Sequence, residues 1–304
     1  MRSCPTAALP AIALAALVVA APGAAAATPK ACAKAPAAKT VPYERVAGVP
    51  ANLTSLDVYA PSRACRKGRR TPVVMWVHGG AYAVGDKRNQ IRDKVRLFSR
   101  RGWVFVSVNY RLTRPGTPRS AKYPDHFRDV AAAVSWVRRG IGRRGGDRGR
   151  IALLGHSAGA DIVANVTTNP RWLRERKLGL RAVRCAGPLD TEGFDKAAAG
   201  PGEQGQWQRA LGNLPTYVRD TSAVNLLRRG AGIPRTITVF RGTPRRQRIE
   251  RRFVTTLRAA GVPATLVDAR SLSHAEVSRR IGAAGDRVMT PPLLRFLGGC
   301  FNRR

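Results

Sequence analysis

Histidine and acidic residues are both scarce in this sequence. The 304 residues include 18 Asp and Glu against 54 Lys and Arg, and four histidines. The histidines show no spacing typical of metal ligands, so we predict neither a metal centre nor another cofactor. The formal charge of +36 attracts anions, but no aromatic residues alternate with the basic ones, as a base-stacking surface requires. We therefore expect no sequence-specific nucleic-acid binding, while non-specific association with an anionic polymer or the cell wall stays open.

Long apolar runs are absent after the amino-terminal region, so no later segment is predicted to span a bilayer. Within the apolar stretch at 7–21, Pro10 and Pro22 bracket a shorter run, and small residues follow it. It is shorter than the roughly 20 residues that a membrane helix needs. The pattern predicts a secretory signal peptide at 1–27, cleaved after Ala27. The mature protein is therefore expected to be secreted, soluble and extracellular.

Five cysteines are present, and removal of the signal peptide leaves four of them: Cys32, Cys65, Cys185 and Cys300. Four cysteines in an oxidising compartment predict two disulfide bonds, which can be paired in three ways. Of these three, we favour the pairing of neighbours along the chain, Cys32 with Cys65 and Cys185 with Cys300.

Strand-like and helix-like segments alternate after an Ala-, Lys- and Pro-rich leader tail at 28–40. Buried strands are predicted at 73–77 and 103–109 and in RIALLG, RAVRCAG, TITVFRG and PATLVDA, with amphipathic helices between them. This alternation predicts an α/β domain over 41–304, with a mostly parallel central sheet and helices on both faces. The alternation of strand-like and helix-like segments is interrupted at 191–232, which we predict to be a small cap or loop insertion.

The segment IALLGHSAGA places Ser157 between Gly155 and Gly159, where a predicted strand turns into a predicted helix. Glycines on both sides permit a sharp, strained turn that exposes the serine hydroxyl. The amide groups at the start of the helix point to the same place and favour a developing negative charge. This pattern predicts that Ser157 is a nucleophile.

A serine nucleophile needs a base, which is usually a histidine. His156 lies inside the turn and is directed away from the serine, and His126 begins a helix well before it. His274 follows the last predicted strand, where a loop can return over Ser157. It is therefore the predicted base.

The segment VHGG ends a strand with His78 and two glycines. Such small residues let backbone amides approach a substrate oxygen closely. We predict an oxyanion hole formed by the amides of Gly79, Gly80 and Ala158.

Together these motifs resemble the α/β-hydrolase superfamily, especially its small carboxylesterases and its kynurenine formamidase-like branch. The resemblance rests on SLDVYAP, VVMWVHGGAYAVGDK, VSVNYRL, YPDHFRDVAAAVSWVRR, GGDRGRIALLGHSAGA and SHAEVSRRIG, and it covers nearly the whole mature chain. The order of oxyanion loop, serine and histidine is also that of the superfamily. The resemblance implies the α/β-hydrolase fold, and it implies the same roles for Ser157, His274 and the three oxyanion donors.

The triad acid is missing from its usual place. Members of the superfamily commonly carry Asp in a Gly-Thr-x-Asp pattern after the seventh strand, but this chain has Arg245 there. We favour Asp190, in GPLDTEGFD, because some lipases of the superfamily place the acid after the sixth strand. Three other carboxylates are alternatives: Glu192, Asp195 and Glu250. It also stays open whether the triad lacks an acid altogether. Two further acidic residues at family positions, Asp129 and Asp147, are assigned structural roles.

These features predict a secreted serine esterase that hydrolyses small to medium carboxylic esters through an acyl-enzyme. Acetylated sugars and aryl amides are candidate substrates. One alternative is a non-catalytic hydrolase-fold protein that binds anionic polymers, which Arg245 favours and the Ser157 and His274 motifs oppose. The other alternative is an acyltransferase.

Overall fold

The computed structural model describes residues 1, 32, 34–117, 119–212 and 215–302. Apart from Met1, the predicted signal peptide lies outside the described residues, and so do residues 28–31 and 33 of the predicted tail. None of the helices described is long and apolar enough to cross a membrane.

The centre of the fold is a sheet of eight described strands. They are β1 Lys39–Pro42, β2 Ser55–Tyr59, β3 Thr71–Val77, β4 Val104–Val108, β5 Gly146–His156, β6 Cys185–Leu189, β7 Arg235–Phe240 and β8 Ala264–Asp268. Their spatial order is β1-β2-β4-β3-β5-β6-β7-β8. Only the pairs β1–β2 and β2–β4 are antiparallel, so the predicted mostly parallel sheet is confirmed. Because β1 starts at Lys39, the sheet begins two residues before the predicted start of the domain.

Nine α-helices are described around this sheet. They are α1 Arg92–Arg100, α2 Asp125–Gly140, α3 Ala158–Thr168, α4 Pro170–Arg174, α5 Pro201–Leu211, α6 Thr216–Thr221, α7 Pro244–Ala259, α8 His274–Arg279 and α9 Thr290–Phe301. Alternate side chains of a strand point to opposite faces. Accordingly, Met75 and Val77 of β3 pack with α2, α3 and α7, whereas Val74 and Trp76 pack with α1, α8 and α9. The predicted helical cover on both faces is confirmed.

The segment 191–232, predicted as a cap or loop insertion, contains α5 and α6. Its buried aromatic side chains include Phe194, Trp207 and Tyr217, which belong to the same core as α2, α3 and α7. The Phe194 ring stacks on Phe253 of α7 with 4.0 Å between ring centroids. This segment therefore packs directly on the helical layer.

Both predicted disulfide pairs are present. Cys32 is bonded to Cys65, and Cys185 is bonded to Cys300. The second bond joins the first residue of β6 to α9, 115 positions later in the chain. The favoured pairing of neighbouring cysteines is confirmed.

Candidate active site

Ser157 occupies the sharp turn between β5 and α3, with φ of 58° and ψ of −123°. This left-handed conformation is costly for a residue with a side chain and persists only where the surroundings enforce it. A Cβ at Gly155 would overlap the carbonyl of Gly159, and a Cβ at Gly159 would overlap that of Val77. The two flanking glycines are therefore required by close approach of the backbone. The Ser157 N–H donates to Leu189 O over 3.2 Å, which holds the turn against β6.

The loop after β3 brings the predicted oxyanion residues beside this turn. A Cβ at Gly79 would lie 2.9 Å from the Cβ of Ser157 and 3.0 Å from the carbonyl oxygen of His156. Gly80 has a φ of 123°, which only glycine adopts readily. Ala158 is the first residue of α3 and is buried. The structure therefore places Gly79 and Ala158 next to Ser157, in space and along the chain respectively, and Gly80 follows Gly79 in the same loop.

His78 supports this loop through its buried imidazole. Its Nδ1–H donates to the carbonyl oxygen of Gly79 over 2.7 Å. The ring stacks on Tyr110, with 4.5 Å between centroids, and the Tyr110 hydroxyl donates to His78 O over 3.1 Å. Burial lowers the pKa of His78, so the ring is neutral near pH 7.

His274 and Asp190 meet at the carboxyl end of the sheet. His274 is the first residue of α8, and a capping box between Ser273 and Glu276 fixes where that helix begins. Asp190 directly follows β6, with a φ of 66° and a fully buried side chain. The Nδ1–H of His274 donates to Asp190 Oδ2 over 2.6 Å. Asp190, the acid favoured from the sequence, is the carboxylate that contacts this histidine.

Two arginines hold the Asp190 carboxylate from the other side. Arg241 Nε donates to Oδ2 over 2.6 Å, and Arg246 Nε donates to Oδ1 over 2.9 Å. Burial raises the pKa of Asp190, but the His274 hydrogen bond and the charges of Arg246 and Arg241 outweigh it and hold the pKa well below its usual range. Asp190 is therefore an anion at neutral pH, the form that accepts a hydrogen bond from the Nδ1–H of His274.

The alternative acids have other partners. Glu192 accepts hydrogen bonds from the Gly200 N–H and from Arg246, and Asp195 is paired with Arg252. Glu250 accepts the Arg241 N–H over 3.0 Å. Burial and the negative charge of Asp190 raise the pKa of Glu250 to about 9. In the part of the chain that the structure describes, none of the three bonds to His274.

Arg245, at the position where the superfamily usually has its acid, is directed elsewhere. Its guanidinium lies against Gly200 at the start of α5 and 3.8 Å from Glu192 Oε2. It therefore leaves the Nδ1 face of His274 to Asp190.

His156 connects Ser157 to His274. Its ring lies 4.5 Å from the His274 ring between centroids, and its Nε2–H donates to His274 O over 2.8 Å. Burial and the neighbouring His274 lower the pKa of His156 to about 3, so it stays neutral. Within the described ranges, no hydrogen bond joins the Ser157 hydroxyl to the His274 ring. Such a bond is commonly long without substrate and tightens in the substrate complex.

The remaining histidine and the acids predicted to be structural lie outside this arrangement. His126 is buried and bonds to Thr113, with a pKa lowered to about 3 by burial. Asp129 accepts three hydrogen bonds from the Arg111 guanidinium, and Asp147 pairs with Arg150. These contacts fit structural roles.

His156, Asp190 and His274 are close enough to be considered as a metal site, since one ligand atom of each lies within 4.8 Å of the others. However, Asp190 already accepts hydrogen bonds from His274, Arg241 and Arg246. Two guanidinium charges at the carboxylate also repel a cation. The contacts of these three residues therefore fit a hydrogen-bonded cluster better than a metal site.

A buried network behind Ser157 was not predicted from the sequence. Asp161, in the first turn of α3, accepts hydrogen bonds from Lys196 Nζ over 2.6 Å and from the hydroxyl of Tyr82. Lys196 also donates to Thr221 O over 2.9 Å. The network joins the helix of Ser157 to the oxyanion loop and to the segment 191–232. The one available signal was a carboxylate within the apolar sequence of α3.

Comparison with known proteins identifies relatives of this arrangement. The model of the carboxylesterase family matches residues 25–191. Esterase LipQ of Mycobacterium tuberculosis is 40% identical over 97 residues, which cover 32% of this chain and 22% of the relative. Para-nitrobenzyl esterase of Bacillus subtilis is 28% identical over 150 residues, covering 47% and 29%. The chain therefore matches less than a third of the length of either relative.

Solved structures extend the likeness of the fold to most of the chain. Esterase B from Lactobacillus rhamnosis has a TM-score of 0.69 at 17% identity, covering 88% of this chain and 87% of that one. Thermogutta terrifontis esterase 2, phosphonylated by sarin, has a TM-score of 0.66 at 20% identity, covering 87% and 93%. The predicted α/β-hydrolase fold is confirmed. Because the family model spans more than half of the sequence, the chain belongs to the carboxylesterase family.

Proposed function

We propose that this protein is a secreted serine esterase that hydrolyses small to medium carboxylic esters through an acyl-enzyme. The observation that carries the proposal is the 2.6 Å hydrogen bond from His274 Nδ1 to Asp190, beside the strained turn of Ser157. This contact supports Asp190 as the acid that acts with His274 and Ser157, although Arg245 occupies the usual position of the acid. Membership of the carboxylesterase family supports the same reaction.

In the acylation step, Ser157 Oγ attacks the ester carbonyl carbon while His274 Nε2 takes the hydroxyl proton. The N–H groups of Gly79, Gly80 and Ala158 stabilise the oxyanion of the tetrahedral intermediate, aided by the amino end of α3. The carbon–oxygen bond to the alcohol then breaks, and His274 donates the proton to the leaving alcohol. The product of this step is an ester of Ser157.

In the second step, water attacks the acyl group, with His274 again removing a proton. The oxyanion forms at the same amides; when it collapses, the bond between Ser157 Oγ and the acyl carbon breaks, His274 returns the proton to Oγ, and the carboxylic acid is released. Asp190 keeps His274 in the tautomer that has its proton on Nδ1, and it stabilises the imidazolium that forms in each step. Asp190 can do so because the His274 hydrogen bond and the charges of Arg246 and Arg241 hold its pKa low and keep it ionised.

The relatives and the disulfide bonds support the substrate class and the location. The names of the relatives, an esterase and a para-nitrobenzyl esterase, support ester substrates. Two disulfide bonds are typical of an exported protein. They support the signal peptide predicted at 1–27 and an extracellular location.

A fluorophosphonate probe tests the proposal directly, because it phosphonylates an activated serine. We expect one adduct at Ser157 in folded protein, located by peptide mass spectrometry, and none in urea-denatured protein or in Ser157→Ala. The same preparations should hydrolyse short-chain nitrophenyl esters, with activity lost in Ser157→Ala. If folded wild-type protein forms no adduct, the non-catalytic alternative is favoured. Addition of alcohol acceptors separates hydrolysis from acyl transfer, since a transferase forms new ester in place of free acid.

A further inference from the structure

A cavity of about 530 Å³ lies at the amino ends of the parallel strands. Its lining includes Arg184, directly before β6, Arg235, the first residue of β7, and Val262, shortly before β8. Ser157 and Asp190 lie at the opposite, carboxyl ends. The five residues of β6 alone separate the two ends by about 16 Å, at 3.3 Å per residue. The cavity is therefore distinct from the proposed catalytic site.

The lining of this cavity has charge of one sign only. Among the described lining residues, four are arginines, namely Arg181, Arg184, Arg228 and Arg235, and none is acidic. Over the described ranges, Arg181, Arg184 and Arg228 form no ion pair with a carboxylate. Arg241 and Arg246, by contrast, are both paired with Asp190. Guanidinium groups that share an acid-free concavity repel one another, and a bound anion relieves that repulsion.

Three of these arginine side chains, Arg181, Arg184 and Arg228, contact the backbone or a glycine at the cavity wall. Arg184 Nε donates to Cys300 O over 2.9 Å, and the Cys185–Cys300 bond fixes α9 at the start of β6. Arg228 donates to two nearby carbonyl groups through a single nitrogen. Arg181 lies across Gly232, where a Cβ would come within 3.1 Å of its Cγ. Each guanidinium has five N–H donors, so most donors of these side chains are left for a ligand.

We propose that this cavity binds a compact anion that carries two or more phosphate groups. Guanidinium groups match phosphate oxygens in paired hydrogen bonds, and several arginines around one concavity favour a ligand with several charges. The volume lies in the range of small-molecule sites, which argues for a compact ligand over a long polymer. The net charge of +36 increases the local concentration of any anion but gives no defined stoichiometry.

Titration calorimetry with tripolyphosphate at about 0.15 M salt tests this site on the full chain, because long-range attraction is largely screened there. We expect saturable binding with one anion per chain. Arg181→Gln/Arg228→Gln should weaken it at least tenfold. The control is Arg100→Gln/Arg287→Gln, which removes the same charge from exposed positions with no described ion pair. That control should change affinity less than twofold.

Equal weakening in the two double variants would overturn the proposal, because only diffuse attraction then remains. Absence of saturable binding would also overturn it, as would binding of long phosphodiester polymers without binding of tripolyphosphate. Hydrolysis of nitrophenyl acetate should be unchanged in Arg181→Gln/Arg228→Gln. If tripolyphosphate instead blocks Ser157 labelling and this double variant does not relieve the block, the anion occupies the catalytic end and the proposal fails. The calorimetric comparison of the two double variants does not depend on the esterase reaction, so its failure and the failure of the proposed function can be distinguished.

Discussion

Replacement of Asp190 by Asn is the most informative single substitution at the site. The amide keeps the size of the side chain but cannot accept a hydrogen bond from His274 as an anion. Loss of the triad acid lowers turnover on the order of 10⁴-fold, which corresponds to about 5.5 kcal/mol of transition-state stabilisation. We therefore expect kcat for nitrophenyl esters to fall by about that factor, with a smaller change in KM.

The substitution should also lower stability. Arg241 and Arg246 have side chains that are 13% and 9% exposed, and Asp190 is a carboxylate partner of both. Breaking a buried ion pair by removing one partner costs about 3–5 kcal/mol. Urea denaturation of Asp190→Asn should show a loss of this size. Turnover is therefore measured at a temperature where circular dichroism shows the variant to be folded.

Glu192→Gln is the matched control for this experiment. Glu192 accepts a hydrogen bond from Arg246 over 3.3 Å and is nearly as buried as Asp190, but it does not bond to His274. It should lose stability while keeping kcat within about tenfold of wild type. If folded Asp190→Asn keeps wild-type turnover, or if Glu192→Gln loses as much turnover as Asp190→Asn, the assignment of the acid is wrong.

Three further predictions concern the oxyanion loop, a disulfide and a buried acid. Gly79→Ala places a Cβ 2.9 Å from that of Ser157 and should lower kcat on the order of 10²-fold. The control Gly149→Ala, whose Cβ meets only Asp147, should not lower kcat. Equal kcat values in the two variants would contradict the proposed place of Gly79 in the oxyanion hole. Cys185→Ser/Cys300→Ser removes a disulfide bond between residues 115 positions apart and should lower the free energy of unfolding by about 2–5 kcal/mol in urea titrations. The pKa of Glu250 is about 9 in the folded chain, against an ordinary value of 4.5 when unfolded. Between these two pH values the folded chain binds one proton more than the unfolded chain, so the free energy of unfolding should fall as pH rises, by at most about 1.4 kcal/mol per pH unit. Glu250→Gln should flatten that slope, and an unchanged slope would contradict the raised pKa.

Local patterns predicted the strands and helices that have long apolar or amphipathic sequences. The missed strands have specific causes. β1 is a short and largely exposed edge strand. The β2 sequence SLDVY contains Ser55 and Asp57, both buried, so its burial does not show as an apolar run. The α5 sequence has Gly202 and Gly205, which are poor helix formers, and tertiary packing of Trp207 overrides them.

In the candidate site, too, the local motifs could be predicted from the sequence, whereas the long-range contacts could not. Ser157 and Gly79 lie in short motifs whose geometry is set by neighbours in the chain and by adjacent strands. The contact between His274 and Asp190 joins residues 84 positions apart, so the sequence could favour Asp190 but could not exclude other carboxylates. The arginines that hold Asp190 belong to a chain with 54 basic residues, where no local signal distinguishes them. The catalytic roles of these residues stay predictions.

The strands β6 and β7 are paired at only two positions, Cys185 with Arg235 and Ala186 with Thr236. Beyond them, Pro188 has no N–H to donate, and side chains connect the strands instead, through Thr238 Oγ1 to Pro188 O over 2.7 Å and through Arg241 to Asp190. The Asp190 carboxylate, proposed to stabilise the His274 imidazolium, thus also connects the carboxyl ends of β6 and β7. A substitution at Asp190 is therefore expected to change both turnover and the connection between the carboxyl ends of these two strands.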